Sequence, residues 1–150
     1  MNTAIAATTR SVATASITLA AANDLIAAAR AAAKRIGFEA AVAVTDPGGH
    51  LVAFARTEGV AFLAADVAID KAWTAASFGF GTHVWNRIVT TNPQAAQLAH
   101  RPRLVAVGGG YPVREGGRLV GALGISGGSA VQDHDACEAA LRAVGFDTAE

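Results

Sequence analysis

Apolar residues first recur along the chain with a helical period and then give way to strand-like runs. Leu19, Ala22, Ile26, Ala29, Ala33 and Ile36 are spaced by three and four, which puts them on one face of a helix. Ser16 is a suitable cap, and Gly37 stands just past the end, where a left-handed residue is needed. Arg30, Lys34 and Arg35 gather in the later turns, favourable to the negative end of the helix dipole. Ala40 to Thr45 and Leu51 to Arg56 are expected to be strands of a hairpin. The turn between them, Asp46-Pro47-Gly48-Gly49, has a mechanism: proline sets one dihedral and glycine admits positive φ. Asp46 is expected to bond the backbone of that turn, with His50 a turn-edge residue rather than a ligand. After Thr57-Glu58-Gly59 the spacing predicts a second helix over about Phe62 to Phe78, with Phe62, Ala65, Ile69, Trp73 and Ala76 as its core stripe.

Gly79-Phe80-Gly81 ends that helix. Thr82 opens a short helical piece carrying His83 and Trp85, which either line a pocket mouth or patch a surface depression. Asn92-Pro93 opens another, with Asn92 as cap and Pro93 at the first helical position, and Pro102 stops it. His100, near a helix end, reads as structural. Leu104 to Val107 is an apolar run stopped by Gly108, Gly109 and Gly110, and Arg118 to Ser126 is a second one. With Glu115-Gly116-Gly117 supplying turn chemistry, these runs predict a second hairpin. Gly121 and Gly124 leave gaps on the later strand, to be filled by a packed helix or by a bound molecule. Gly127-Gly128 ends the strand, and Ser129 with Gln132 forms a capping box for a last helix, Ala130 to Val144, stopped by Gly145. His134, Cys137, Leu141 and Val144 share one side of it.

At 150 residues the chain is expected to be one domain with a real core. Hydrophobic residues reach 52%, much of that alanine, so helices should pack closely. Charge is balanced with no basic cluster, which excludes nucleic acid as a partner. A single cysteine, Cys137, rules out an internal disulfide and fits a reducing compartment. No apolar run is long enough to span a bilayer. Residues 1–17 have no clear period and carry one basic residue, Arg10, too late for a signal peptide. The expectation is a flexible N-terminal arm at 1–17, one domain at 18–150 and a cytoplasmic location. So apolar a chain predicts a homo-oligomer, with the arm or the Phe78 to Ile88 region contributing.

Candidate chemistry concentrates in the last helix. A glycine-rich strand-to-helix turn invites an anion, but Asp133 and Asp135 near the same N–H groups repel one. No dinucleotide fingerprint or P-loop lysine is present, so nucleotide binding is set aside. Asp133-His134-Asp135 is the densest titratable set and the first choice for chemistry. No metal is assigned to it, Cys137 being better explained as a small core residue. Lys71 is one of only two lysines. Spacing favours a snorkelling side chain with its ammonium in water; the alternative is a cation that orients a ligand carboxylate or acts as an acid or base.

The order helix, hairpin, helix, broken helices, hairpin, helix is an α+β arrangement. Four pieces in that order carry a resemblance: Asp46-Pro47-Gly48-Gly49 with Leu51 to Arg56; Asp70-Lys71-Ala72-Trp73-Thr74-Ala75; Gly108-Gly109-Gly110-Tyr111-Pro112-Val113; and Gly121 to Gly128 followed by Gln132-Asp133. From about Thr18 to Phe146 the chain resembles the GlcG/HbpS-like family, which includes the C-terminal domain of PduO-type proteins. The resemblance implies a profilin-like antiparallel sheet of about five strands flanked by helices, homo-oligomers, and binding of haem or corrinoid-type tetrapyrroles. It groups Lys71, Gly109, Gly110, Pro112, Ser126, Gly127 and Asp133 around a pocket. This sequence departs from the family pattern at Tyr111 and His134, and its lack of a histidine before His50 removes a haem ligand from the first helix.

Two functions follow. One is a pocket protein for a small organic ligand or tetrapyrrole, with no cofactor required and haem as a possible ligand. The other is a cofactor-independent lyase or isomerase acting on a small carboxylic acid or aromatic catabolite. There Lys71 would hold a carboxylate, His134 move protons, Asp133 orient it and Tyr111 donate to an oxyanion. A ligand-free structural subunit is the third reading. The site expectation is that Tyr111, His134 and Lys71 face one cavity beside the glycines.

Overall fold

The computed structural model describes residues 8–148. Its elements are α1 (Leu19–Ile36), β1 (Ala41–Thr45), β2 (Leu51–Arg56), α2 (Phe62–Phe78), α3 (Thr82–Thr91), α4 (Pro93–Ala96), a 3-10 turn (Gln97–His100), β3 (Gly110–Glu115), β4 (Arg118–Ser126) and α5 (Ala130–Val144). The strands form one antiparallel sheet in the order β2-β1-β4-β3. The α+β class is the expected one, with four strands among the described residues rather than about five.

Strand alternation sorts the sheet into two unlike faces. Val42, Val44, Leu123 and Ile125 meet Leu25, Ile26, Ala29 and Ala33 of α1 and Cys137 and Leu141 of α5 in the larger core. On the other face Ala41, Ala43 and Ala122 meet Ala64, Ala68, Ala72, Ala75 and Ala76 of α2. Gly124 explains the second face. A Cβ there would overlap the Ala68 carbonyl oxygen and sit 2.7 Å from the Ala72 nitrogen, so helix backbone rests directly on strand backbone. The gap at Gly124 is filled by a helix, and that at Gly121 by the Thr45 carbonyl and the Ile17 side chain.

That contact overturns the expected stripe of α2. Phe62 is 83% exposed, and Ala65, Ile69 and Trp73 are only partly buried. At so short a distance the face on the sheet admits alanine, Ala76 of the expected stripe among them, and the bulky apolar side chains of Phe62 and Leu63 are turned outward. The cap of α1 is Thr18, not Ser16: its Oγ1 accepts the Ala21 N–H at 3.1 Å. The helix cannot begin earlier because Ile17 donates its N–H to the Val120 carbonyl at 2.7 Å and is buried in the core. Thus the last residue of the expected arm is docked on the sheet, while residues 1–7 lie outside the described ones.

The second hairpin is also shifted along the chain. Its turn is at Gly116 and Gly117, both with positive φ, as this tight geometry requires. Its first strand is Gly110–Glu115, not Leu104 to Val107. Helix side chains take up the backbone of that earlier run instead. Thr74 Oγ1, whose one proton is shared between the Asp70 carbonyl at 2.7 Å and the Arg103 carbonyl at 3.0 Å, accepts the Val105 N–H at 3.1 Å, and Asn86 donates to the Ala106 carbonyl at 2.8 Å. The first hairpin follows expectation: Asp46 Oδ1 accepts the N–H groups of Gly48 and His50, each at 2.9 Å. No helix among the described residues is long and apolar enough to cross a membrane.

Candidate functional site

The capping box starts α5 as its sequence predicts, with Ser129 and Gln132 satisfying each other's backbone N–H groups at 3.2 and 2.9 Å. One residue on, Asp133 points into the protein. Its Oδ1 accepts the Gly128 N–H at 2.9 Å, and its Oδ2 meets Lys71 Nζ at 2.7 Å. Lys71 also donates to the Ile125 carbonyl at 3.0 Å. Both side chains of the pair are almost fully buried. Lys71 therefore does not snorkel, and its charge is engaged by Asp133 rather than held open for a ligand carboxylate. The two residues come from helices on opposite faces of the sheet and meet at the end of β4.

Gly109 closes over this pair. Its φ is +115°, and a Cβ there would lie 2.6 Å from Asp133 Cβ, 2.7 Å from the Ile125 carbonyl oxygen and 2.8 Å from Lys71 Nζ. Its carbonyl accepts the Ile125 N–H at 2.7 Å and the Cys137 thiol at 3.2 Å. Burial foremost pushes the Cys137 thiol well above its ordinary pKa. Gly110 donates to Thr82 Oγ1 at 2.9 Å and is pressed against the Lys71 carbonyl. The glycine segment is thus pinned between the N-termini of α3 and α5.

Beside it opens a cleft of about 300 Å³. Val107 and Gly108 form one wall, Ala130, Val131 and His134 of α5 a second, and His83 and Asn86 of α3 a third. The His83 and His134 rings lie 4.3 Å apart, centroid to centroid, tilted by 59°. The Tyr111 ring backs them, 5.6 Å from His134 and 6.1 Å from His83. His134 Nε2 is 3.5 Å from a Glu138 carboxylate oxygen, one turn on, and its Nδ1 is buried without a hydrogen-bond partner. Trp85 stays out of this cleft and packs against Phe78 at 4.5 Å.

Of the four residues expected to act together, His134 lines the cleft and Tyr111 stands behind it. Lys71 and Asp133 lie deeper, locked to each other. The Tyr111 hydroxyl donates to the Thr148 carbonyl at 2.9 Å, which commits the group proposed as an oxyanion donor. The expected ligand-binding residues are not in the lining either. Gly109 and Gly110 pack on the ion pair and on α2, Pro112 pairs with Ala122 inside the sheet, and Ser126 ends β4 opposite Ala41. Gly127 is pressed against the Glu39 carbonyl. Their neighbour Gly108 takes the place beside the cleft. His83 was legible only as a possible pocket-mouth residue, and nothing in the sequence links it to His134. Among the described residues no three His, Cys, Asp or Glu side chains are grouped to hold a metal ion. Two imidazoles and apolar walls do suit a flat macrocycle carrying its own metal.

Known proteins place this geometry in a family. A family model described as "Haem degrading protein HbpS-like" matches residues 17–142. An uncharacterized 15.0 kDa protein from the dhaT-dhaS intergenic region of Citrobacter freundii is 36% identical over 129 residues, covering 85% of this chain and 91% of that one. Among solved structures, the PduOC–haem complex superposes with a TM-score of 0.81 at 29% identity, covering 90% of this chain and 99% of the other. A double mutant of Streptomyces reticuli HbpS gives a TM-score of 0.83 at 29% identity, covering 94% and 96%. By sequence over most of its length and by fold, this chain belongs to the HbpS-like family.

Proposed function

We propose that the chain binds a tetrapyrrole of the haem type in the cleft between α3 and α5. One observation carries this reading: two imidazoles, His83 and His134, stand in contact on the wall of a cleft otherwise lined largely by Val107, Ala130 and Val131. Apolar walls with a few convergent nitrogen groups are the chemistry of an organic-ligand pocket, and about 300 Å³ is at the lower end for such sites. Imidazole is also a usual axial ligand of haem iron; rings 4.3 Å apart leave no room for a macrocycle between them, so one of His83 and His134 would hold the iron and the other would pack beside it. Bound haem would supply redox and ligand-binding chemistry at its iron, tuned by that imidazole. The haem complex of a relative with the same fold supports the reading.

The alternative of a cofactor-independent lyase or isomerase is not supported by the geometry. Lys71 is occupied by Asp133, and the Tyr111 hydroxyl by the Thr148 carbonyl. His134 alone remains at the cleft with a free ring nitrogen.

We also propose self-association. The Phe78 to Ile88 region, expected to contribute, packs largely on itself through the Phe78, Phe80 and Trp85 rings. Exposed apolar side chains lie instead at Phe62 and Leu63 of α2.

A haemin titration followed by absorbance tests the ligand reading. The expected result is a saturable Soret shift at one haem per chain, weakened at least about tenfold in His83→Ala and His134→Ala, or about 1.4 kcal/mol each. No saturable shift, or full affinity in both variants, overturns it.

A further inference from the structure

We infer that the buried Lys71–Asp133 pair is a positioning device that sets the shape of the cleft; the inference rests on the cleft being the ligand site. The pair lines no part of the cleft, yet two of the cleft's three walls are tied to it at one residue's remove. Asp133 immediately precedes His134, and its Oδ1 fixes the Gly128 N–H at the entry to α5. Gly109, packed on Lys71 Nζ and Asp133 Cβ, immediately follows Gly108. Gly108 in turn is seated between the Ala130 carbonyl and His83, where an added Cβ would lie 2.9 Å from the first and 3.6 Å from the second. One ion pair therefore sets where the first turn of α5 stands relative to the Val107–Gly108 wall and to α3.

The composition of the pair supports this role over a purely stabilising one. Two charges withdrawn from water lose hydration that their attraction only partly returns, so an apolar pair of similar volume often serves stability as well or better. What the ion pair adds is direction. Lys71 has two acceptors, Ile125 O and Asp133 Oδ2, and Asp133 has two donors, Lys71 Nζ and Gly128 N, each at 3.0 Å or less. An apolar pair fills the same space without choosing among nearby arrangements of α5.

The test separates position from stability. Lys71→Met and Asp133→Asn each leave a buried group without its counter-charge and should lower the urea midpoint. The double variant Lys71→Met/Asp133→Leu should recover much of that loss. Its haemin affinity should nevertheless stay at least about tenfold below wild type, and the nuclear Overhauser contact between the His83 and His134 rings in ligand-free protein should weaken. Where that variant does not fold, Lys71→Met/Asp133→Asn, which keeps the side-chain shapes and an acceptor for Gly128, is read in the same way. A stable double variant with wild-type affinity and an intact imidazole contact overturns the inference. Wild-type protein that binds no haemin defeats the tetrapyrrole reading instead, while the imidazole contact still decides whether the pair positions the cleft.

Discussion

Gly109 and Gly37 have nearly the same positive φ, +115° and +108°, but opposite surroundings. A Cβ on Gly37, at the end of α1, meets nothing within 4 Å. A Cβ on Gly109 would press on Asp133 Cβ, the Ile125 carbonyl and Lys71 Nζ, all within 2.8 Å. Two of these neighbours are held by a helix and a strand and cannot step aside. Gly37→Ala should therefore cost only the left-handed strain, about 1–2 kcal/mol. Gly109→Ala carries a similar strain together with overpacking of about 1–3 kcal/mol, giving roughly 2–5 kcal/mol. A stability of about 10 kcal/mol, the middle of the usual range, leaves both variants folded. Urea unfolding at a shared m-value reads the difference directly, and thermal midpoints should separate by about 2–4 °C per kcal/mol for a chain of this size. Equal losses in the two variants would refute the claim that the glycine closes over the ion pair.

Two further outcomes are expected. Because burial raises the Cys137 pKa in the folded chain, its contribution is present below the thiol's ordinary range near pH 9 and lost above it, as the unfolded state releases the proton first. Stability should fall by up to about 1.4 kcal/mol per pH unit more steeply there than in Cys137→Ala, and native protein should resist thiol reagents; equal alkaline slopes would count against a buried thiol. Light scattering at roughly 20–50 micromolar, a range that reports moderate association, should show an oligomer that Phe62→Glu/Leu63→Glu shifts to smaller species, and a monomeric wild type would refute self-association.

Features set by neighbours in the chain were legible from sequence. The period of α1, the Asp46 turn, the Gly116–Gly117 turn and the Ser129–Gln132 box each depend on groups a few residues apart, whose chemistry specifies one local geometry. The family motifs likewise pointed to the α+β sheet. What could not be read was decided by partners distant in sequence. Gly124 lets α2 lie against the sheet backbone, so small size rather than hydrophobic bulk marks its buried face, and Phe62 is turned out. The signal was present in the spacing of Ala64, Ala68, Ala72 and Ala75, but an apolar period ranks phenylalanine above alanine. Leu104 to Val107 has strand composition, yet Thr74 and Asn86 take its backbone bonds and leave the sheet edge to Gly110–Glu115. Lys71 reads as a surface lysine until Asp133, 62 residues later, is brought to 2.7 Å from it. His83 and His134 become neighbours only when α3 and α5 close on the glycine segment. A local pattern determines which way a side chain points along its own helix or strand; the packing of whole elements decides what it meets there, and the cleft is made entirely of such meetings.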